Sequence, residues 1–268
     1  MWDRLRSWPA MDTHLAYDDE TVLAGKPDWI VAHHCESGSI FRYWGEAIAN
    51  CQGDYVAVLS PYLVPCEAWL DAMAAAAVSG ERAYFGPVEE NYAKEDRAIV
   101  GYLVEYGHFH RPFRAEHREI PGSNLLVKSS QLPPRETLRK QGFTKTALLN
   151  DWNKHGYRPT LVEAAVAFHD RFFDASGYRK RRYSHGRAYG VSRRKGLGWV
   201  GVLVSLAKTI LLPGLRTWRI LMRVRHVAHL DQTARRHIWA ILASEAAWSV
   251  GEFVGLATGN PGDVERLD

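Results

Sequence analysis

The sequence predicts an α/β fold followed by a basic helical region, and three observations carry that expectation. Between Trp29 and His169, short apolar runs alternate with segments of helical period, the rhythm of strands and crossover helices. Hydrophobic residues make up 46% of the 268, enough for a sizeable core. Beyond Arg171 the chain turns basic and then strongly apolar, with long helical segments and few strand signals.

The elements follow in order. Trp29-Ile30-Val31-Ala32 reads as a strand, Ser37-Gly38-Ser39 as a turn, Arg42–Asn50 as a helix and Tyr55–Leu59 as the next strand. The stretch "GDYVAVLSPYLVPCEAWL" joins that strand, through the turn Ser60-Pro61-Tyr62, to a helix over Pro65–Ser79 closed by Gly80. Tyr84–Val88 is a short strand and Tyr102–Phe109 an aromatic helix. "EIPGSNLLVKSSQL" supplies a Pro-Gly turn and a strand over Asn124–Val127, and a helix closed by Gly156 leads to a strand Ala164–Phe168 that ends in His169.

After that, "RKRRYSHGRAYGVSRRKG" is basic with interleaved tyrosines. Leu197–Leu212 is a mainly apolar stretch of sixteen residues, shorter than the roughly 20 of a membrane span. Pro213-Gly214 is expected to break it. The next helix sets Ile220, Leu221, Val224, Val227 and Ala228 beside Arg216, Arg219 and Arg223, the pattern of a helix lying in a membrane interface. A last apolar helix, Ile238 to about Leu256, carries Glu245, Ser249 and Glu252 on one stripe, where the two glutamates are expected to pair with arginines of the preceding helix. The division expected is an α/β domain over 1–190 and a helical region over 191–268. Helices that simply cover one face of the domain are the alternative.

Charge is uneven. Fifteen Lys or Arg stand between Arg179 and Arg236 against Asp231 alone, so this segment is about +14 within a chain of net +4. Three anionic partners fit such a run: lipid headgroups, the diphosphate of a nucleotide, or nucleic acid. The apolar helices that follow favour lipid, and no nucleic-acid reader motif is present, so nucleic acid is not expected. Cys35, Cys51 and Cys66 are odd in number and lack CxxC spacing, which predicts no disulfide framework and a reducing compartment. Met1-Trp2-Asp3-Arg4 opens no apolar run of the signal-peptide kind.

Five stretches in order, "GEAIANCQGDYVAVL", "WLDAMAAAAVSGERAYFGPVEE", "IPGSNLLVKSSQL", "NKHGYRPTLVEAAVAFH" and "GEFVGLATGNPGD", resemble bacterial family 2 glycosyltransferases with membrane-associated C-terminal helices, over roughly residues 25–260. The resemblance implies a truncated glycosyltransferase A sheet, Rossmann-like and mixed, flanked by helices, because the family's first strands have no counterpart before Trp29. Asp18-Asp19 stands where a nucleotide-contacting aspartate would be sought, without an apolar strand before it. It implies transfer of a sugar from a nucleotide-sugar donor to a lipid-linked or polysaccharide acceptor on the cytoplasmic side of the bacterial inner membrane, with the chain peripheral or monotopic and a partner enzyme of glycan assembly nearby. In the family, a divalent cation held by an Asp-x-Asp neutralises the donor diphosphate and a carboxylate serves as general base.

Here the resemblance meets departures. Ser60 and Tyr62 replace the two aspartates, so Mg²⁺ or Mn²⁺ is disfavoured and no cofactor is expected; no metal ligand is expected, His169 excepted should a metal bind. No carboxylate occupies Thr144-Lys145, where the base would fall; Asp151 is the nearest substitute, with Glu89 and Glu90 as further carboxylates that a raised pKa would mark as catalytic. The resemblance thus places donor and acceptor contacts at Ser60, Tyr62, Gly122, Ser123, Asn124, His169, Arg179, Arg182 and Arg187, and membrane contacts at Arg193, Arg194, Lys195, Trp199, Arg216, Arg219 and Arg223. For Gly122-Ser123-Asn124 an ordinary turn, and for His169 a backbone-bonded strand end, are the structural alternatives. A catalytically inactive relative that binds a sugar, a lipid or a partner enzyme is the alternative for the whole chain.

Overall fold

The computed structural model describes residues 12–17, 20–23, 26–35, 40–60, 62–91, 99–113, 119–170, 174–194 and 196–260. It is an α/β protein with mixed sheets flanked by helices, and its chain falls into two compact units, 1–89 with 113–170 and 90–112 with 171–268. The boundaries between them fall at 89/90, 112/113 and 170/171, while 190/191 lies inside the helix Ala175–Arg194. That helix packs along Ile238–Thr258, so contacts assign all of it to the helical unit.

In the first unit, β1 (Thr13–Tyr17) and β2 (Ile30–His34) form a parallel pair with Thr13 opposite Ile30. A strand thus precedes Trp29, against expectation. Thr13–Tyr17 is half polar and half-buried throughout, so it lacks the apolar run by which strands are read, and its definition comes from its neighbour. Asp18 and Asp19, which follow it, lie outside the described residues.

The main sheet runs β3-β7-β5-β8: β3 (Tyr55–Leu59), β7 (Asn124–Lys128), β5 (Ala83–Phe85) and β8 (Thr160–Leu161), with β7 antiparallel to both neighbours and β8 parallel to β5. Period-2 alternation sorts its side chains onto two faces. Val56, Val58, Ala83, Phe85, Leu125 and Val127 join the core under α1 (Ile40–Asn50), α4 (Arg135–Gln141) and α5 (Lys145–Lys154). Tyr84 and Leu126 point the other way, onto Trp69 and Met73 of α2 (Trp69–Ala77). The helix expected from Pro65 starts later because Leu63–Pro65 is itself a strand, β4, in a second sheet β4-β9-β6 with β9 (Ala167–His169) and β6 (Val88–Glu90). The expected strand Tyr84–Val88 is split between the two sheets at Gly86-Pro87. A Cβ on Gly86 would sit 1.8 Å from the Ala165 carbonyl oxygen, so only glycine permits this crossing.

The helical unit holds α3 (Ile99–Glu105), a 3₁₀ turn Gly107–Phe109, α6 (Ala175–Arg194), α7 (Trp199–Val224), α8 (Ala228–Arg236) and α9 (Ile238–Thr258). Asp174 caps α6, its Oδ1 accepting from the Ser176 and Gly177 N–H groups at 2.8 and 2.9 Å. Helix α7 does not break at Pro213; it continues as one helix of 26 residues. An apolar helix with long flanks tolerates the lost N–H better than a short soluble one, which is why Pro-Gly was a misleading stop signal. Helices α6 and α9 carry Gly186-x-x-x-Gly190 and Gly251-x-x-x-Gly255. A Cβ at any of these four glycines would lie 1.9–2.3 Å from a backbone oxygen of the other helix, so the two backbones are in direct contact.

Candidate functional site

In the α/β unit, the candidate site is built where β3 ends, β4 begins and β9 ends. After Leu59 the chain turns at Ser60: the Leu63 N–H donates to the Ser60 carbonyl at 3.0 Å and the Tyr62 N–H to Ser60 Oγ at 3.3 Å. Pro61 lies outside the described residues. Antiparallel pairing sets Leu63 opposite His169, and the Asp170 N–H donates to the Tyr62 carbonyl at 2.9 Å. The structure therefore brings Ser60, Tyr62 and His169 together, as expected, and adds Asp170, which follows His169 directly in "AFHD". Ser60 and His169 are both buried. Carboxyl ends of strands are where α/β sheets open crevices for ligands, and here the ends of β3 and β9 meet.

Asn124 lies next to this group, opposite Leu59, but has a different task. Its Oδ1 accepts from Trp69 Nε1 at 2.7 Å, and its Nδ2 donates to the Pro87 and Ala165 carbonyls at 2.8 and 3.0 Å. With both amide hydrogens in use and no exposed surface, Asn124 is a clamp between the sheets and α2, and this corrects its expected part as a ligand contact. Gly122 is likewise a packing residue: a Cβ there would meet the Lys145 side chain at 2.6 Å, and Lys145 Nζ donates to the Ile120 carbonyl. Ser123 is buried between them. Asp151 stands exposed on α5 with His155 Nδ1 3.8 Å from its carboxylate.

In the helical unit, the basic residues divide by contact. Arg182 of α6 is buried, with its Nη2 donating to Glu245 Oε1 at 2.6 Å and its guanidinium 4.3 Å above the Trp248 ring. Arg193 donates to Glu252, and Arg216 of α7 reaches Glu245 at 3.4 Å and Glu252 at 3.6 Å. The glutamates pair as expected with the preceding helix, and also with α6. Arg182, Arg193 and Arg216 are thereby engaged inside the unit; of the three, Arg182 is buried, while Arg193 and Arg216 keep part of their side chains exposed. Arg187 Nε donates to the Asn260 carbonyl and Arg194 Nη1 to that of Ala257 at 2.6 Å. Arg179 and Arg219 are exposed and Arg223 is half-buried. Lys195 lies outside the described residues.

The outer faces are apolar. Trp199 and Ile210 of α7 and Trp239 of α9 are each about three-quarters exposed (76, 76 and 77%). Both helices are long and apolar enough to cross a membrane, by length and composition.

Glu90 ends β6 beside two histidines absent from any motif reading. His229 Nε2 lies 2.7 Å from its Oε1 and His110 Nδ1 3.1 Å from its Oε2. Burial pushes the Glu90 carboxyl up, but the facing histidines outweigh it and hold the group below the usual carboxylate range, the reverse of a raised catalytic acid. The one local sign was "GHFHRP", where His108 and His110 flank a buried Phe109; His229 is 139 residues from Glu90. No family model matches this chain, and no curated protein matches it.

Proposed function

We propose that the chain is a membrane-associated relative of the family 2 glycosyltransferases, with a glycosyltransferase A type sheet, that takes a nucleotide-sugar donor and a lipid-linked or polysaccharide acceptor at the strand ends around Ser60, Tyr62, His169 and Asp170. The observation that carries this reading is the β4–β9 register, which sets the Ser60–Tyr62 turn beside His169 and Asp170. Asp170 supplies a carboxylate next to a turn that has none, in reach of the role of general base. The exposed apolar helices and the exposed Arg179 and Arg219 support an anionic membrane surface as partner, which favours the cytoplasmic face of a bacterial inner membrane.

A second reading, an inactive relative that binds sugar, lipid or a partner enzyme, is favoured by one observation: Ser60 and Tyr62 offer no acidic ligand pair, and Asp151 faces His155 on an exposed helix surface. Nucleotide release from UDP-, GDP- and dTDP-sugars with lipid acceptors, together with binding of the same donors, separates the two. Turnover that drops roughly a hundredfold in Asp170→Asn, the scale of a lost general base, supports transfer. Binding without turnover supports the inactive relative. Neither binding nor turnover with any donor removes the glycosyltransferase reading.

A further inference from the structure

We propose that Glu90, His110 and His229 form a binding site for a late first-row divalent cation, Zn²⁺ foremost, with a coordination position left open to water or an anionic oxygen. One oxygen and two imidazole nitrogens, all within 4.8 Å of one another, converge from three separate segments of the helical unit. Imidazole donors select against Mg²⁺ and Ca²⁺, and a His₂Glu set is one that holds zinc with an open fourth position. Zinc bonds of about 2.0–2.2 Å in a tetrahedron place neighbouring donors roughly 3.4 Å apart. The two Glu–His separations, 2.7 Å to Oε1 and 3.1 Å to Oε2, differ from that by well under 1 Å, and all three donor atoms lie within 4.8 Å of one another, so rotation of the exposed His229 ring is the adjustment an ion requires.

Two details speak against a plain ion-pair cluster. Glu90 Oε2 is buried yet has no well-aligned hydrogen bond, despite His110 Nδ1 at 3.1 Å. That same Nδ1 also faces the Tyr102 hydroxyl at 3.0 Å. A protonated Nδ1 has to be shared between Oε2 and the Tyr102 oxygen, whereas a cation at the centre gives Oε2 and the Nδ1 lone pair a common partner. The scaffold is firm: Tyr102 is fully buried, and His226 Nε2 donates to the Pro112 carbonyl at 3.0 Å, tying the segment after His110 to the start of α8. His229 is more than half exposed, which gives an ion its way in.

The full chain, purified in detergent and stripped with chelator, is titrated with Zn²⁺ by calorimetry and with Co²⁺ by visible absorption, which reports the geometry without any assay of activity. The expected result is one ion per chain with micromolar or tighter affinity, and at least about a hundredfold weaker binding in His229→Ala and Glu90→Gln. Thermal unfolding of the metal-free variants shows whether they are folded; His229, being exposed, is the substitution that leaves the fold intact. Replacing the other histidine pair, His14 and His33, hydrogen-bonded at 2.9 Å, should leave the affinity unchanged. Absence of stoichiometric binding, or equal binding by the wild type and a folded His229→Ala, overturns the site; loss of binding only with His14 and His33 changed would move it to the other unit and overturn it too.

Discussion

Replacing Asn124 by alanine tests whether this residue holds the fold or contacts a ligand. The substitution leaves the buried Trp69 indole N–H and Ala165 carbonyl without the partner they have at 2.7 and 3.0 Å, and takes one of two bonds from the Pro87 carbonyl, which keeps the Ala167 N–H at 3.0 Å. Each unsatisfied group costs about 1–3 kcal/mol, so the two together cost at least about 2 kcal/mol. For a unit of this size that is a fall of roughly 4 °C or more in melting temperature, out of a total stability of only about 5–15 kcal/mol. Asn124→Asp should be no better, since a carboxylate can accept from Trp69 but would face two carbonyl oxygens. Thermal unfolding followed by circular dichroism, with limited proteolysis to locate the loosened unit, measures the effect. An Asn124→Ala protein that melts within about 2 °C of wild type, while losing nucleotide-sugar binding, would refute the clamp and restore Asn124 as a ligand contact.

Four further outcomes are expected. Glu245→Gln leaves the buried Arg182 facing a neutral amide and should destabilise the helical unit by about 3 kcal/mol, whereas Arg182→Met with Glu245→Leu together should cost less than the sum of the two singles, measured by unfolding in detergent. Gly251→Ala places a methyl 1.9 Å from the Tyr183 carbonyl oxygen and should cost about 1–3 kcal/mol or more by forcing α6 and α9 apart, read in the same assay. Burial, then the neighbouring His14, lowers the His33 pKa below its ordinary 6.5, so its neutral form belongs to the folded state: the contribution is complete above about pH 6.5 and is lost as pH falls below it, and the pH dependence of melting in that window should flatten in His33→Gln. Alkaline carbonate and high salt should leave the chain with membranes, and only detergent should release it; release by salt alone would show that α7 and α9 are held by charge at the surface.

Much of the α/β unit was legible because its strands announce themselves. Tyr55–Leu59 and Asn124–Lys128 are apolar, β-branched or leucine-rich and bounded by polar turns, so period and punctuation agree. Thr13–Tyr17 was not legible, because a half-buried polar strand owes its state to its partner. Leu63–Pro65 did not read as a strand, and only its last residue fell within the expected helix Pro65–Ser79, since three residues carry no period of their own. At the strand ends, the chain order of Ser60, Tyr62 and His169 gave no hint that pairing would oppose Leu63 to His169, but a turn after one strand and a polar tip on another was enough to nominate them. The Glu90 cluster was illegible for a plainer reason: its three members are distant in sequence and obey no ligand spacing. Of the arginines, Arg182, Arg193 and Arg216 turn onto Glu245 and Glu252, a division that composition does not show, because it records charge but not whether it faces outward or inward.

That last distinction bears on where the helical unit resides. Its interior holds Arg182, Ser205, Thr209, Glu245 and Glu252, while its surface carries Trp199, Leu203, Ile210, Leu211 and Trp218. In water both choices are unfavourable, since charge is desolvated and apolar surface is left exposed. Next to hydrocarbon both become sensible: the outer face has nothing to lose, and the inner polar groups satisfy each other. The glycine contacts between α6 and α9 fit the same setting, where close backbone packing replaces the hydrophobic drive for helices to associate. Along α7, Trp199 and Trp218 are both exposed and about 28 Å apart at 1.5 Å per residue, close to the thickness of a bilayer core with one indole at each interface. Exposed Lys208 stands between them and opposes a simple span, at a cost of about 3 kcal/mol at mid-membrane before snorkelling. Labelling single cysteines introduced next to Trp199 and Trp218 from the two sides of sealed vesicles decides the matter: opposite accessibility establishes a crossing, and equal accessibility lays α7 in the plane of one interface.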